Sequence, residues 1–146
     1  MELFVNGTLM RGEALHQNLN GCPFLREALT APSYRLFLMG GGSYPGMIRI
    51  SHSGAAIAGE LYSVPDALVD AIFAREPPHL YLGEVELEDG SAVQGVLCDA
   101  DGLKHPEITA YGGWRAWQKH VDALVRSQTA RLSARRAGER PPYVTG

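Results

Sequence analysis

A small mixed α+β barrel is the fold class predicted by this sequence, on three observations. Six or so apolar runs have strand length. The 17 Gly and 9 Pro in 146 residues cut those runs apart with turns, which favours short strands over a helical bundle. Helical spacing is confined to short flanking stretches and one long C-terminal stretch. A chain of this length usually makes one domain with a buried core. Residues 1–137 are expected to form it, with a flexible tail over 138–146.

Leu3-Phe4-Val5 opens as an apolar strand and breaks at Asn6-Gly7. Asn-Gly is the strongest two-residue hairpin signal, and the residues alone favour that reading. A strand running into a Gly turn is also a cradle whose free N–H groups can hold a carboxylate or an amide carbonyl, with Gly supplying positive φ or a close approach. Residues 14–19 form a short helix, with Leu15 and Leu19 on one face. His16 then points elsewhere, as a surface or capping side chain or as a cleft residue. Residues 24–29 make a short strand or bend, and residues 34–38 a strand. Gly40-Gly41-Gly42 is a linker, or a flap over a ligand. Tyr44-Pro45-Gly46 is a tight turn feeding a strand through Met47 and Ile48. Residues 55–64 alternate as a strand, which makes Glu60 a solvent-facing carboxylate.

Pro65-Asp66 opens a helix with Leu68, Val69, Ile72 and Phe73 at helical spacing. Pro77 and Pro78 cannot continue it, so it ends by Glu76. Glu76 is either an exposed loop carboxylate or a group held against an apolar cleft. Desolvation there would raise its pKa toward the range of a general acid or base near neutral pH. Residues 81–87 and 92–98 pair across the Asp-Gly turn at Glu88-Asp89-Gly90-Ser91. Residues 99–105 are a polar loop. Residues 114–132 are helical, with Trp114, Trp117, Val121, Leu124 and Val125 on one face; both Trp are read as core.

Composition excludes several functions. The net charge of −3 says little about partners. The arginines of the C-terminal stretch have no interleaved aromatics, so no nucleic acid is expected. Cys22 and Cys98 stand apart without metal spacing and read as reduced thiols of a cytoplasmic protein. No leader is visible, and no apolar run spans a bilayer, so no membrane is expected. There is no Gly-rich nucleotide fingerprint, P-loop, zinc spacing or nucleophile elbow, so neither a cofactor nor a metal is expected. The residues alone give a barrel with a Gly loop and no reaction.

The order Leu3-Phe4-Val5-Asn6-Gly7-Thr8-Leu9, Ala31-Pro32-Ser33-Tyr34-Arg35-Leu36, Tyr44-Pro45-Gly46 and Gly59-Glu60-Leu61-Tyr62 resembles the gamma-glutamylcyclotransferase-like family. That family has a small β-barrel and opens with Tyr-Gly-Thr-Leu after its first strand. The resemblance implies that the loop Asn6, Gly7, Thr8 and Leu9 holds a substrate in a cleft, and that one Glu shuttles a proton. Glu76 matches that Glu by position, and Tyr81 matches a Tyr a few residues beyond it. Asn6 departs from the motif's Tyr, and Gly83 from the Arg of many members.

The second half, Leu82-Gly83-Glu84-Val85-Glu86-Leu87-Glu88-Asp89-Gly90, Val93-Gln94-Gly95-Val96-Leu97-Cys98 and above all Ile108-Thr109-Ala110-Tyr111-Gly112-Gly113-Trp114-Arg115-Ala116-Trp117, is similar to the C-terminal domain of allophanate hydrolase. That domain shares the barrel, follows an amidase domain, and is assigned the breakdown of a carboxylated carbamate to ammonia and carbon dioxide. The resemblance implies a stand-alone enzyme on a small carboxylated amide or carbamate, with an amidase as a possible partner. Its alternatives are a gamma-glutamyl cyclotransferase using Glu76, and a non-catalytic module binding a small anion or an amidase. Arg115 either pairs with a substrate carboxylate or holds the Gly112-Gly113 turn.

Overall fold

Leu3, Phe4 and Val5 have no exposed surface, because β1 (Glu2–Val5) is the middle strand of a five-stranded sheet. The structure, a computed structural model, describes residues 1–136; the expected tail over 138–146 lies outside the described residues. Strand β1 lies between β5 (Ala58–Ser63) and β7 (Ala92–Cys98). It runs antiparallel to β5, with Phe4 opposite Leu61, and parallel to β7, with Phe4 opposite Gly95. Both neighbours are distant in sequence, so Asn6-Gly7 is no hairpin turn. Strands β2 (Phe24–Leu29) and β6 (Leu80–Glu86) form the two edges.

The β6–β7 hairpin turns as expected at Gly90, whose φ is +84°. Asp89 fixes that turn by accepting from the Ser91 N–H and hydroxyl. A second hairpin joins β3 (Tyr34–Met39) and β4 (Tyr44–Arg49). Its turn is made by Gly40, Gly41 and Gly42, at φ of +56°, +67° and +99°. Only Gly adopts three such values in succession without strain. Tyr44-Pro45-Gly46, expected to be the turn, is therefore strand. Pro45 sits opposite Leu38. It is tolerated because β4 has a single ladder partner and needs no N–H on its other side.

The architecture is mixed α+β, but the larger sheet is not closed into a barrel. Its edges meet at one bridge, Thr30 to Leu87, flanked by bonds from Ala31 N–H to Glu86 O and from Glu88 N–H to Leu29 O. Pro32 follows at once and has no N–H with which to extend the ladder. The expected helix over 14–19 is a 3₁₀ turn at His16–Leu19. Leu15 N–H bonds back to Thr8 O, and the His16 ring to Leu9 O, so the segment is shaped by the loop before it. Helix α1 (Asp66–Phe73) buries Val69 and Ile72 and ends ahead of Pro77 and Pro78.

Strand β5 is buried on both faces, from Gly59 to Tyr62. Glu60 is therefore wholly buried and not solvent-facing. Its carboxylate accepts from Arg11 N–H at 2.8 Å, Arg11 Nε at 2.9 Å and Tyr62 OH at 3.0 Å. Those three donors replace the water that a buried charge would otherwise lack.

The chain divides into two compact units, one ending at Trp114 and one from Arg115 onward. Trp114 is buried, and its indole N–H donates to Glu13. The described residues of the second unit continue helix α2 (Trp114–Arg136), with Leu124, Val125 and Leu132 exposed.

Candidate functional site

The end of β1 delivers residues 6–9 to the rim of a cleft. Asn6 is buried, and its amide donates to Met47 Sδ at 3.3 Å and to Val96 O at 3.5 Å. Its amide N–H₂ is thus committed to β4 and β7. Gly7 is not in the left-handed region. Its requirement is space: a Cβ there would stand 2.7 Å from both Cδ and Cγ of Pro45. The loop can lie against β4 only because residue 7 has no side chain.

The loop carbonyls are engaged. Gly7 O accepts from Met10 N–H, Thr8 O from Leu15 N–H, and Leu9 O from the His16 ring, whose Nδ1 must then carry the proton. The N–H groups of Gly7, Thr8 and Leu9 make no hydrogen bond to another described residue. Backbone donors left open in this way are the kind of group that can hold a carboxylate or carbonyl oxygen.

The cleft is open to solvent, has a cavity volume of about 20 Å³, and is lined by residues 5–9, Tyr44 and Pro45 of β4, Glu76, Leu80 and Val96. Glu76 reaches it because the chain leaves α1 and turns at Pro77-Pro78 into β6. The carboxyl is half-buried, and desolvation pushes its pKa above the usual carboxylate range. A group so shifted keeps its proton to higher pH and is suited to give it up to a reacting atom. The Tyr44 phenol is also pushed up, by burial first and then by Cys98, Glu76 and Asp101.

The structure thus brings Asn6, Gly7, Thr8, Leu9 and Glu76 to one cleft. Tyr81 is 48% exposed and does not line it. Its neighbour Leu80 does. Arg115 belongs to the second unit, half-buried in the first turn of α2. His16 is placed outside the lining, with its ring tied to Leu9 O. Sequence reasoning missed Tyr44 as a lining residue, since Pro-Gly after it reads as a turn.

Other clusters offer less chemistry. His79 pairs with Asp99 and Asp101, and Asp101 also with Lys104 and His105. His79 raises its own proton affinity by bonding Asp99, and the two carboxyls are held below their usual range by their His partners. Among the described residues no group of three or more His, Cys, Asp or Glu is placed to hold a metal ion. Burial pushes the Cys98 thiol up to about 11, which makes it a poor nucleophile. A larger hollow of about 410 Å³ beside Cys22, Pro23, Val64 and Leu68 is lined by no acidic or basic side chain. Size favours that hollow, but chemistry favours the cleft. None of the described helices is long and apolar enough to cross a membrane.

Known proteins share this chain's pattern. A profile of the allophanate hydrolase C-terminal domain matches residues 1–119. A uropathogenic E. coli-specific protein of known structure is 39% identical, with a TM-score of 0.78 over 82% of this chain and 95% of that one. Kluyveromyces lactis allophanate hydrolase is 30% identical, with a TM-score of 0.76 over 82% of this chain and 21% of that one. Urea amidolyase of Saccharomyces cerevisiae is 35% identical over 126 residues, which is 80% of this chain and 7% of that protein. The chain thus corresponds to one small part of those larger enzymes.

Proposed function

This chain belongs to the allophanate hydrolase C-terminal domain family, and from that premise we propose that it breaks down a carboxylated carbamate, ⁻O₂C–NH–CO₂⁻, to carbon dioxide and ammonia. One observation carries the reading: Gly7, Thr8 and Leu9, whose N–H groups make no bond to another described residue, line the same cleft as Glu76, whose carboxyl is pushed up by desolvation.

The loop N–H groups hold one carboxylate of the dianion. Glu76, protonated, gives its proton to the nitrogen as a C–N bond breaks. The bond's electron pair goes to nitrogen, carbon dioxide leaves, and H₂N–CO₂⁻ remains. A second protonation and C–N cleavage gives ammonia and another carbon dioxide. Glu76 is reprotonated from solvent after each transfer. Such a general acid contributes ~10²–10⁴ in rate. Tyr81 and Arg115 take no step in this scheme. Since the relatives carry this domain within larger enzymes, the substrate is supplied by an amidase acting on an allophanate-like amide.

The test is a coupled reaction. An allophanate-cleaving amidase lacking its own C-terminal domain is given ¹³C-allophanate, and the carboxylated intermediate is followed by NMR. Wild-type chain shortens the intermediate's lifetime, and Glu76→Gln loses that acceleration by ~10²–10⁴. A lifetime unchanged by the wild-type chain overturns the proposal.

A further inference from the structure

One residue of the cleft has no part in the reaction above: Tyr44, which follows the triple-glycine turn. Away from the loop, the cleft is lined by Tyr44, Pro45, Glu76, Leu80 and Val96. With Glu76 committed to the proton, Tyr44 has the one polar side chain left on that wall. No described residue accepts from its hydroxyl, although the residue is half-buried. The phenol stays protonated well past neutral pH, since burial and the negative groups around it disfavour the phenolate. It is a neutral donor on a residue that lines the same cleft as the loop.

The glycine turn sets where the ring lies. A Cβ on Gly40 would stand 2.5 Å from Tyr44 Cε1 and 3.0 Å from Cδ1. It would also meet Ser43 Oγ at 2.5 Å, which now donates to Gly40 O. The ring therefore rests in space that only a glycine at position 40 leaves. Gly41 is different: its φ is also positive, at +67°, but a Cβ there would meet nothing within 4 Å.

We propose that Tyr44 is the second carboxylate-binding residue of the cleft, donating its hydroxyl to the substrate carboxylate that the loop does not hold, and that Gly40 is the residue that positions it. The inference rests on the proposed function and narrows its substrate class to short dianions with two carboxylates on one atom.

Malonate, in which CH₂ replaces the NH of the carboxylated carbamate, is the probe, and acetate is its one-carboxylate control. Affinities are measured by NMR titration of wild type, Tyr44→Phe, Gly40→Ala and Gly41→Ala. A hydrogen bond to a charged group is typically worth tenfold or more in affinity. Tyr44→Phe is expected to weaken malonate about tenfold and to leave acetate unchanged, because acetate needs only the loop. Gly40→Ala is expected to do the same while keeping the phenol, and Gly41→Ala to leave both affinities unchanged. Malonate binding that is equal in wild type and Tyr44→Phe overturns the assignment and spares the reading of the loop and Glu76. Equal losses for malonate and acetate also overturn it, since they mean general damage to the cleft. No binding of malonate to wild type overturns this inference and the substrate class together. Equal effects of Gly40→Ala and Gly41→Ala refute the positioning role of Gly40.

Discussion

Replacing Gly7 by Ala tests whether the loop is held against β4 by contact alone. The backbone at Gly7 lies outside the left-handed region, so alanine meets no dihedral strain and the effect is purely steric. The new methyl would stand 2.7 Å from two ring carbons of Pro45. Carbon atoms pack at about 3.5–4.0 Å, so the shortfall is roughly 1 Å. The Pro45 ring cannot swing aside like the end of a long side chain, since β4 is in register with β3. The loop or the strand must shift. Overpacking of this kind costs about 1–3 kcal/mol, which in a domain of this size lowers Tm on the order of 5–10 °C. A displacement of about 1 Å in substrate-positioning groups costs about a hundredfold in rate. Thermal unfolding and the coupled ¹³C assay read the two effects. Unchanged Tm and unchanged rate would refute the packing argument, and a lower Tm with a normal rate would separate the loop's position from the chemistry.

Three further outcomes follow from the same geometry. Glu60→Ala removes the buried acceptor for Arg11 N–H, Arg11 Nε and Tyr62 OH. A loss of about 2–4 kcal/mol is expected in urea unfolding; a change below 1 kcal/mol would mean that water replaces the carboxylate at about no cost. Glu76→Gln should stabilise the fold at neutral pH. Its carboxyl titrates higher in the folded state than in the unfolded one, so the folded state binds more protons between the two values. Stability therefore falls as pH rises from the ordinary carboxylate range through the raised one. Wild type and variant should differ little below that window and diverge above it, and parallel stability curves across pH would contradict this. Cys22 should react with a thiol reagent well before Cys98, which is buried and whose thiol is pushed up to about 11; equal rates in the native protein would contradict the burial.

Local chemistry made parts of the fold legible in the sequence. The Asp89-Gly90 pair placed the β6–β7 turn, and the two prolines after Glu76 ended α1, because both effects act within a few residues. Glu60 was misread since its partner Arg11 lies 49 residues away, and alternation alone cannot tell a strand covered on both faces. Asn6-Gly7 was read as a hairpin from the residues alone because the parallel pairing of β1 with β7 is a contact across most of the domain. Tyr44-Pro45 was read as a turn because three glycines and a proline all signal one, and only the register shows which of them turns. The loop and Glu76 entered as one site through family resemblance, since no spacing rule links residue 7 to residue 76.

The most direct measurement is a two-dimensional ¹H–¹⁵N NMR titration of the assigned protein with malonate. The Gly7, Thr8 and Leu9 amides are expected to move most, and downfield, as their open N–H groups take a carboxylate. If the largest shifts fall instead on the hollow beside Cys22 and Leu68, or the three loop amides stay still, the cleft is not the anion site and the proposed chemistry has no place to occur.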